Sequence, residues 1–540
     1  MRKWDILVPL ILALILITVL YPVAGGRAWT DAFGHYAALS KTMDGVDGLH
    51  PASMRQSTLY AFTRPLFLLA QNYVSYEILG IALFCGLIVV GSYAIFFIAR
   101  LLGFETLESA TVVLAIGLIE SGKLLPRLTV FEYGHFFTSD TGFTPRAVST
   151  SLLFLSLYFF MRQRRWCFLL ANALAFVFHP AHGLIFNAAL TLASVIMLKI
   201  SGRKYWLWMM LCLTFAYASL IALLSREFSA GSATLSQRLL YSAYVYSRAP
   251  YLSILFPAKR TWIVLVWLAA SQSPFVYLTV HRRIVPEGSA QHWQVLAFVS
   301  AASVAICGIH VINDIWPRDY RVLQIGSFRN VFVSIFALLL FYGFVAKRLL
   351  AAGAERLARR PIHGAQANLI RQGATLLLFG VTLVGLAIIG IERQEFSLQS
   401  QSSSQQLEAY QDLFGSEMVL APPYWRDFTT IRNVVNFRAV PFETTGLTEW
   451  VRRMDRLTDG YFLSVASQNA QRGLLEQPLF IPPEQWNERY FNLSQATVES
   501  IARDYAAAYI LTKSRYDLPL VAEINRPGDN TIYYVYRMED

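Results

Sequence analysis

The sequence predicts an α-helical polytopic membrane protein with a small C-terminal α/β domain outside the membrane. Three observations predict it. Of 540 residues, 55% are hydrophobic and only 15% are charged, with a mean hydropathy of +0.42. A soluble core cannot use that much apolar surface, whereas a bilayer takes roughly 20 apolar residues per span. The apolar residues also fall in eleven runs, and every second connection between them is basic. Finally, the chain after residue 392 loses this character and turns net acidic, with 14 Lys/Arg against 19 Asp/Glu over 393–540.

The expected spans lie near 4–24, 74–98, 107–124, 145–161, 166–180, 182–199, 204–224, 261–280, 293–312, 328–346 and 372–391. Met1, Arg2 and Lys3 precede an apolar run too long for the roughly 7–15-residue core of a signal peptide, so the first run is expected as a retained span. With a cytoplasmic N-terminus, the even-to-odd connections hold Arg100, the run Arg162 to Arg165, Lys199 to Lys204, Arg282 with Arg283, and the loop from Lys347 to Arg371. All five are basic, which is the positive-inside pattern. That pattern accounts for the net charge of +11 without nucleic acid. The four cysteines form no CxxC and read as small buried hydrophobes.

Domain boundaries follow from these runs: a transmembrane domain over 1–392, a linker over 393–407, and a soluble periplasmic or extracytoplasmic α/β domain over 408–540. In the last of these, strands are expected at 418–421, 434–440, 508–511 and 531–536, and helices near 446–457 and 494–507.

The topology sends the chemistry to the outer face. Asp31 and His35 follow the first span and would share one helical face. A carboxylate there can take a proton from an acceptor hydroxyl. Residues 59–69 form an amphipathic stretch too short to span, suited to lie in the interface. The next outer loop brings His135 and Asp140, then Pro145 and Arg146 at the mouth of the fourth span. Pro suits a first helical turn, and a guanidinium presents fixed donors to a phosphate. His179 and His182 sit in a tight His-Pro-Ala-His turn between two short spans. Ionisable groups at membrane depth are costly and usually functional. The loop over 225–260 carries Arg238 among Tyr241, Tyr244, Tyr246 and Tyr251, a composition able to hold a lipid phosphate and stack on sugars. The last outer loop adds His310, Asp314, Arg318 and Arg321. Such an excess of arginine against the topology trend suggests an anionic ligand. The chain contains no P-loop, which argues against an ATP-driven pump. Metal ligation is not expected from His-x-x-His alone, although a divalent cation such as Mg or Mn is compatible with the loops.

Eleven spans, Asp31 just after the first, an amphipathic segment behind it, Pro145-Arg146, His179-Pro180 and a terminal outer domain together resemble the C-type (GT-C) integral-membrane glycosyltransferases. The resemblance covers the chain in architecture. It implies a polyprenyl-phosphate-linked sugar donor, transfer to a lipid, glycan or polymer acceptor on the outer face of a bacterial inner membrane, and Asp31 as general base. On the residues themselves, Arg146 and one or more of Arg238, Arg318 and Arg321 are expected to neutralise the departing phosphate, with His35, His179 and His182 orienting substrate or assisting proton transfer. The chain departs from oligosaccharyltransferase catalytic subunits in lacking a Trp-Trp-Asp-type motif, and Ala32 breaks the acidic pair often seen in the first loop. Two other readings are a glycan ligase or polymerase, and a flippase, which needs polar residues at mid-membrane.

Overall fold

Each of the eleven apolar runs contains a helix. The computed structural model of the chain describes residues 3–28, 76–120, 145–201, 204–226, 235–247, 261–281, 285–320, 331–357, 372–388, 413–423, 432–435, 444–472, 483–525 and 531–539, apart from a few single positions. Its first helices are α1 (Lys3–Ala28), α2 (Tyr76–Leu101), α3 (Thr106–Glu120) and α4 (Pro145–Met161). Then come α5 (Arg165–Phe178), α6 (Pro180–Ser201), α7 (Lys204–Arg226) and a short α8 (Gln237–Ser247). The bundle ends with α9 (Thr261–Val280), α10 (Ala290–Ile315), α11 (Val331–Leu357) and α12 (Gln372–Ile388).

Among the described residues, four stretches are long and apolar enough to cross a membrane: Pro180–Leu198, Lys204–Ala222, Glu287–Ile315 and Val331–Leu349. Other runs give shorter apolar helices, such as Ile6–Val19 and Arg165–Phe178. Each expected run thus coincides with a helix, and among the described residues four reach spanning length.

Packing separates two apolar phases. Around α10, Trp293 is fully buried against Phe104, Phe275, Phe341 and Phe344. Its indole N–H donates to Leu102 O at 3.0 Å, so the polar end of this large ring is satisfied inside the bundle. On α7 the large side chains point outward instead; Trp208 is 66% and Phe215 75% exposed. A soluble helix would hide that face, but here lipid replaces the core. The same geometry corrects one expectation. Cys307 is buried, yet Cys167 and Cys212 are exposed and Cys85 is intermediate. Apolar surroundings in this chain do not require burial by protein.

The bundle has a basic end. Phe97 of α2 meets Tyr158 of α4 at 5.6 Å, near the close of both helices. Lys347 of α11 bridges Glu108 at the start of α3 at 2.6 Å. Arg165, opening α5, lies 4.0 Å over the ring of Tyr205, opening α7. Arg100, the turn over 162–165, the start of α7 and Lys347 therefore share one end.

The C-terminal domain is built on a five-stranded mixed sheet, order β2-β1-β3-β5-β4. Its strands are β1 (Met418–Leu420), β2 (Arg432–Asn433), β3 (Tyr509–Thr512), β4 (Leu520–Asn525) and β5 (Ile532–Arg537). β1 runs parallel to β2 and β3; β5 is antiparallel to β3 and β4. Helices α13 (Thr444–Leu457), α14 (Tyr461–Gln471), α15 (Pro483–Phe491) and α16 (Gln495–Asp504) complete it. Tyr490 ties helix to sheet: its buried hydroxyl contacts both Leu420 O and Leu511 O, at 3.1 and 2.9 Å. β2 lies just before the expected strand over 434–440, of which 434 and 435 are outside any strand and 436–440 lie outside the described residues; β4, α14 and α15 are additional elements.

α8 does not remain a surface loop. Leu240, Tyr241, Ala243 and Val245 join the core formed by Trp450, Phe462 and Trp486 of the C-terminal domain. The segment expected to bind lipid phosphate and sugars thus completes that domain, and Tyr241 is fully buried in it.

Candidate functional site

The α5–α6 hairpin builds the polar centre of the bundle. α5 stops at Phe178, and Pro180 opens α6 because its missing N–H is not needed there. The two helices run back together. Asn187 Nδ2 donates to Asn172 Oδ1 at 2.8 Å and to Gly183 O at 2.9 Å. Gly183 is required at the turn, since a Cβ would sit 2.9 Å from Phe176 Cα. Asn172 also donates to Ser156 Oγ of α4 at 3.3 Å and accepts from the Tyr217 hydroxyl of α7 at 2.9 Å. Three amide-centred bonds therefore pin four helices inside an apolar bundle, where such bonds replace hydrophobic association.

At the hairpin tip, the His182 N–H donates to His179 Nδ1 at 3.2 Å, so His179 caps α6. The two rings lie 4.6 Å apart. His182 is fully buried and its ring contacts Phe332 of α11 at 5.8 Å. Phe332 in turn packs on Phe154 of α4 at 5.3 Å. The starts of α6 and α11 thus meet beside α4.

A second cluster lies where α10 ends. His310 and Asp314 stand one turn apart and are both fully buried. The Tyr241 hydroxyl of α8 donates to Asp314 Oδ1. Arg318 is 3% exposed. Its Nε donates to Asp314 O at 3.1 Å, and its Nη1 to Asn469 O and Arg472 O in the C-terminal domain at 3.3 and 3.2 Å. Its backbone sits at φ 62, in the left-handed region. A non-glycine residue held there is over-determined by its surroundings. Arg318 therefore spends donors on main-chain carbonyls that join α10 to the C-terminal domain.

The expected site residues divide accordingly. The structure brings His179 to His182, and places His310, Asp314 and Arg318 together at the domain junction. Arg238 lies exposed on α8. Arg146 is in the first turn of α4, which opens at Pro145 as expected. Asp31, His35, His135, Asp140, Arg321 and the amphipathic stretch 59–69 lie outside the described residues. Among the described residues, no group of three or more His, Cys, Asp or Glu could hold a metal. Sequence reasoning missed Asn172, Asn187, Tyr217 and Tyr241 as partners. The two asparagines were detectable as amides inside otherwise apolar runs.

Comparison with known protein-family models and with characterised proteins finds no match to this chain.

Proposed function

We propose that the protein is a membrane glycosyltransferase that moves a sugar from a polyprenyl-phosphate donor to a lipid, glycan or polymer acceptor. The observation that carries this reading is the burial of His182 within an apolar helical bundle. Ionisable groups in such a setting are expensive to bury and are kept for chemistry or for a defined joint.

The basic end would face the cytoplasm by the positive-inside rule, which makes the C-terminal domain extracytoplasmic. Asp31 would act as general base on the acceptor hydroxyl. Arg146 and the histidine hairpin would meet the departing phosphate, where charge develops. Arg318 and Asp314 join the domains in this reading rather than touching substrate. The mid-membrane amides give the flippase reading little support, because Asn172 and Asn187 bind each other, Ser156 and Tyr217.

The test is sugar transfer from a polyprenyl-phosphate-linked donor by purified protein, with Asp31→Asn beside it. Loss of transfer in a variant that unfolds at the wild-type temperature is the expected result. Turnover retained by Asp31→Asn removes the carboxylate from the mechanism.

A further inference from the structure

The C-terminal domain carries a polar cleft that neither the bundle nor the domain junction uses. One side of α15 is anchored: Trp486 and Tyr490 are fully buried, and the Tyr490 hydroxyl reaches the main chain of two strands. Gln485, Glu488, Arg489 and Asn492 follow the i, i+3, i+4, i+7 spacing of a single helical stripe, and all four are exposed. Such a stripe is ordinarily the solvated back of a surface helix. Here it is the wall of a cleft of about 690 Å³, within the roughly 300–1,000 Å³ of small-molecule sites. Asp459, in the turn between α13 and α14, and Thr497, in the first turn of α16, line it as well.

The polar heads in this cleft are not spent inside the protein. Among the described residues, the side chains of Asp459, Gln485, Glu488 and Asn492 make no hydrogen bond or ion pair. Arg489 stacks on Tyr461 of α14, 3.6 Å from the ring centroid, which holds the guanidinium without consuming its N–H donors. Asp459 has φ 53, in the left-handed region that glycine usually takes just after a helix. A carboxylate kept there at a conformational cost is a second sign of use.

The composition of the wall narrows the ligand. Its apolar residue, Leu493, is buried, so a lipid chain finds no surface there. An anion meets two carboxylates against one guanidinium, and a cation meets Arg489. A metal ion lacks a third ligand, because no group of three His, Cys, Asp or Glu comes together among the described residues. A peptide is held by pockets for its side chains as well as by its main chain, and this wall has no apolar pocket. A neutral polyol fits, because each hydroxyl both donates and accepts. It can donate to Glu488 or Asp459 while accepting from Arg489, Gln485 or Asn492.

We propose that this cleft binds a neutral saccharide, held by Asp459, Glu488, Arg489 and Asn492. The proposal stands on the cleft alone and does not rest on the transferase reading.

Saturation-transfer NMR tests it on the full chain in lipid nanodiscs free of glycolipid and of sugar-based detergent. The probes are neutral oligosaccharides from dextran, cellulose, xylan and mannan, with a neutral tripeptide and a uronic-acid oligomer beside them. Wild type binds at least one neutral saccharide with a dissociation constant of ~1 mM, weak because its hydrogen bonds replace those of water. Glu488→Ala and Asn492→Ala each weaken that binding about fivefold, the value of one such bond. Asp459→Gly weakens it equally but unfolds at or above the wild-type temperature, since glycine takes this φ without strain. A merely structural Asp459 would give the reverse. Displacement of the soluble sugar by a neutral glycolipid added to the discs assigns the cleft to a membrane-borne glycan; no displacement assigns a free chain. The proposal is overturned if no neutral saccharide binds, if the tripeptide or the uronate binds as well as the sugars, or if the three variants bind as wild type does. Binding that survives in a protein without sugar transfer keeps the cleft and removes only the transferase.

Discussion

The basic end of the bundle and the junction with the C-terminal domain handle charge in opposite ways. At the basic end, charge stays near the surface and pairs locally: Lys347 with Glu108, and Arg165 on the Tyr205 ring. Lys347 keeps 21% of its side chain exposed. At the junction, His310, Asp314 and Arg318 are buried and bonded across elements far apart in sequence. The difference separates charges that orient a bundle from charges that determine its shape. The first kind needs only to avoid lipid. The second is expensive unless its geometry is held, so losing one partner should matter more there.

The strongest way to break the comparison is Arg318→Ala. It leaves the carbonyls of Asn469 and Arg472 without this donor inside the joint. The expected cost is about 3 kcal/mol. Hydrogen exchange should show α8 and α14 losing protection together, because α8 shares the core of the C-terminal domain. Unchanged exchange in both helices would make the contact incidental.

Asn172→Leu tests the hairpin between these extremes. The substitution strands the Tyr217 hydroxyl and leaves the Asn187 amide with Gly183 O alone in an apolar bundle. The expected loss is about 2 kcal/mol, read by denaturant unfolding in detergent. Tyr217→Phe in the Asn172→Leu background should then recover part of it, since the orphaned hydroxyl is removed. No recovery would mean that Tyr217 finds another partner, and that the network does not fix α7.

What the sequence made legible follows from range. Helices, basic turns and the opening of α4 at Pro145 depend on neighbours in the chain. The His179–His182 turn was equally local, a proline between two apolar runs. The junction was not legible because Tyr241 and Asp314 are 73 residues apart. Arg318 reaches residues more than 150 positions away. Arg318 therefore read as a phosphate contact, whereas its Nε and Nη1 donate to backbone carbonyls. α8 read as a loop because its apolar residues look unremarkable until Trp450 and Phe462 are packed against them.

The smallest effect should come from the basic end. In Lys347→Met, Glu108 loses a cation at 2.6 Å but is not orphaned. It still accepts the Glu105 N–H at 2.8 Å and sits in the first turn of α3, where the helix dipole favours a carboxylate. Methionine also keeps the packing of the lysine stem near Phe104 and Phe344, the rings that flank the ammonium at 6.0 Å. The expected cost is about 1 kcal/mol, near the upper value for a partly exposed pair. The histidine hairpin should be unaffected, because Lys347 lies well along α11 from Phe332, about 22 Å away at the α-helical rise. A loss comparable to that of Arg318→Ala would show that the two ends are coupled through α11 rather than independent.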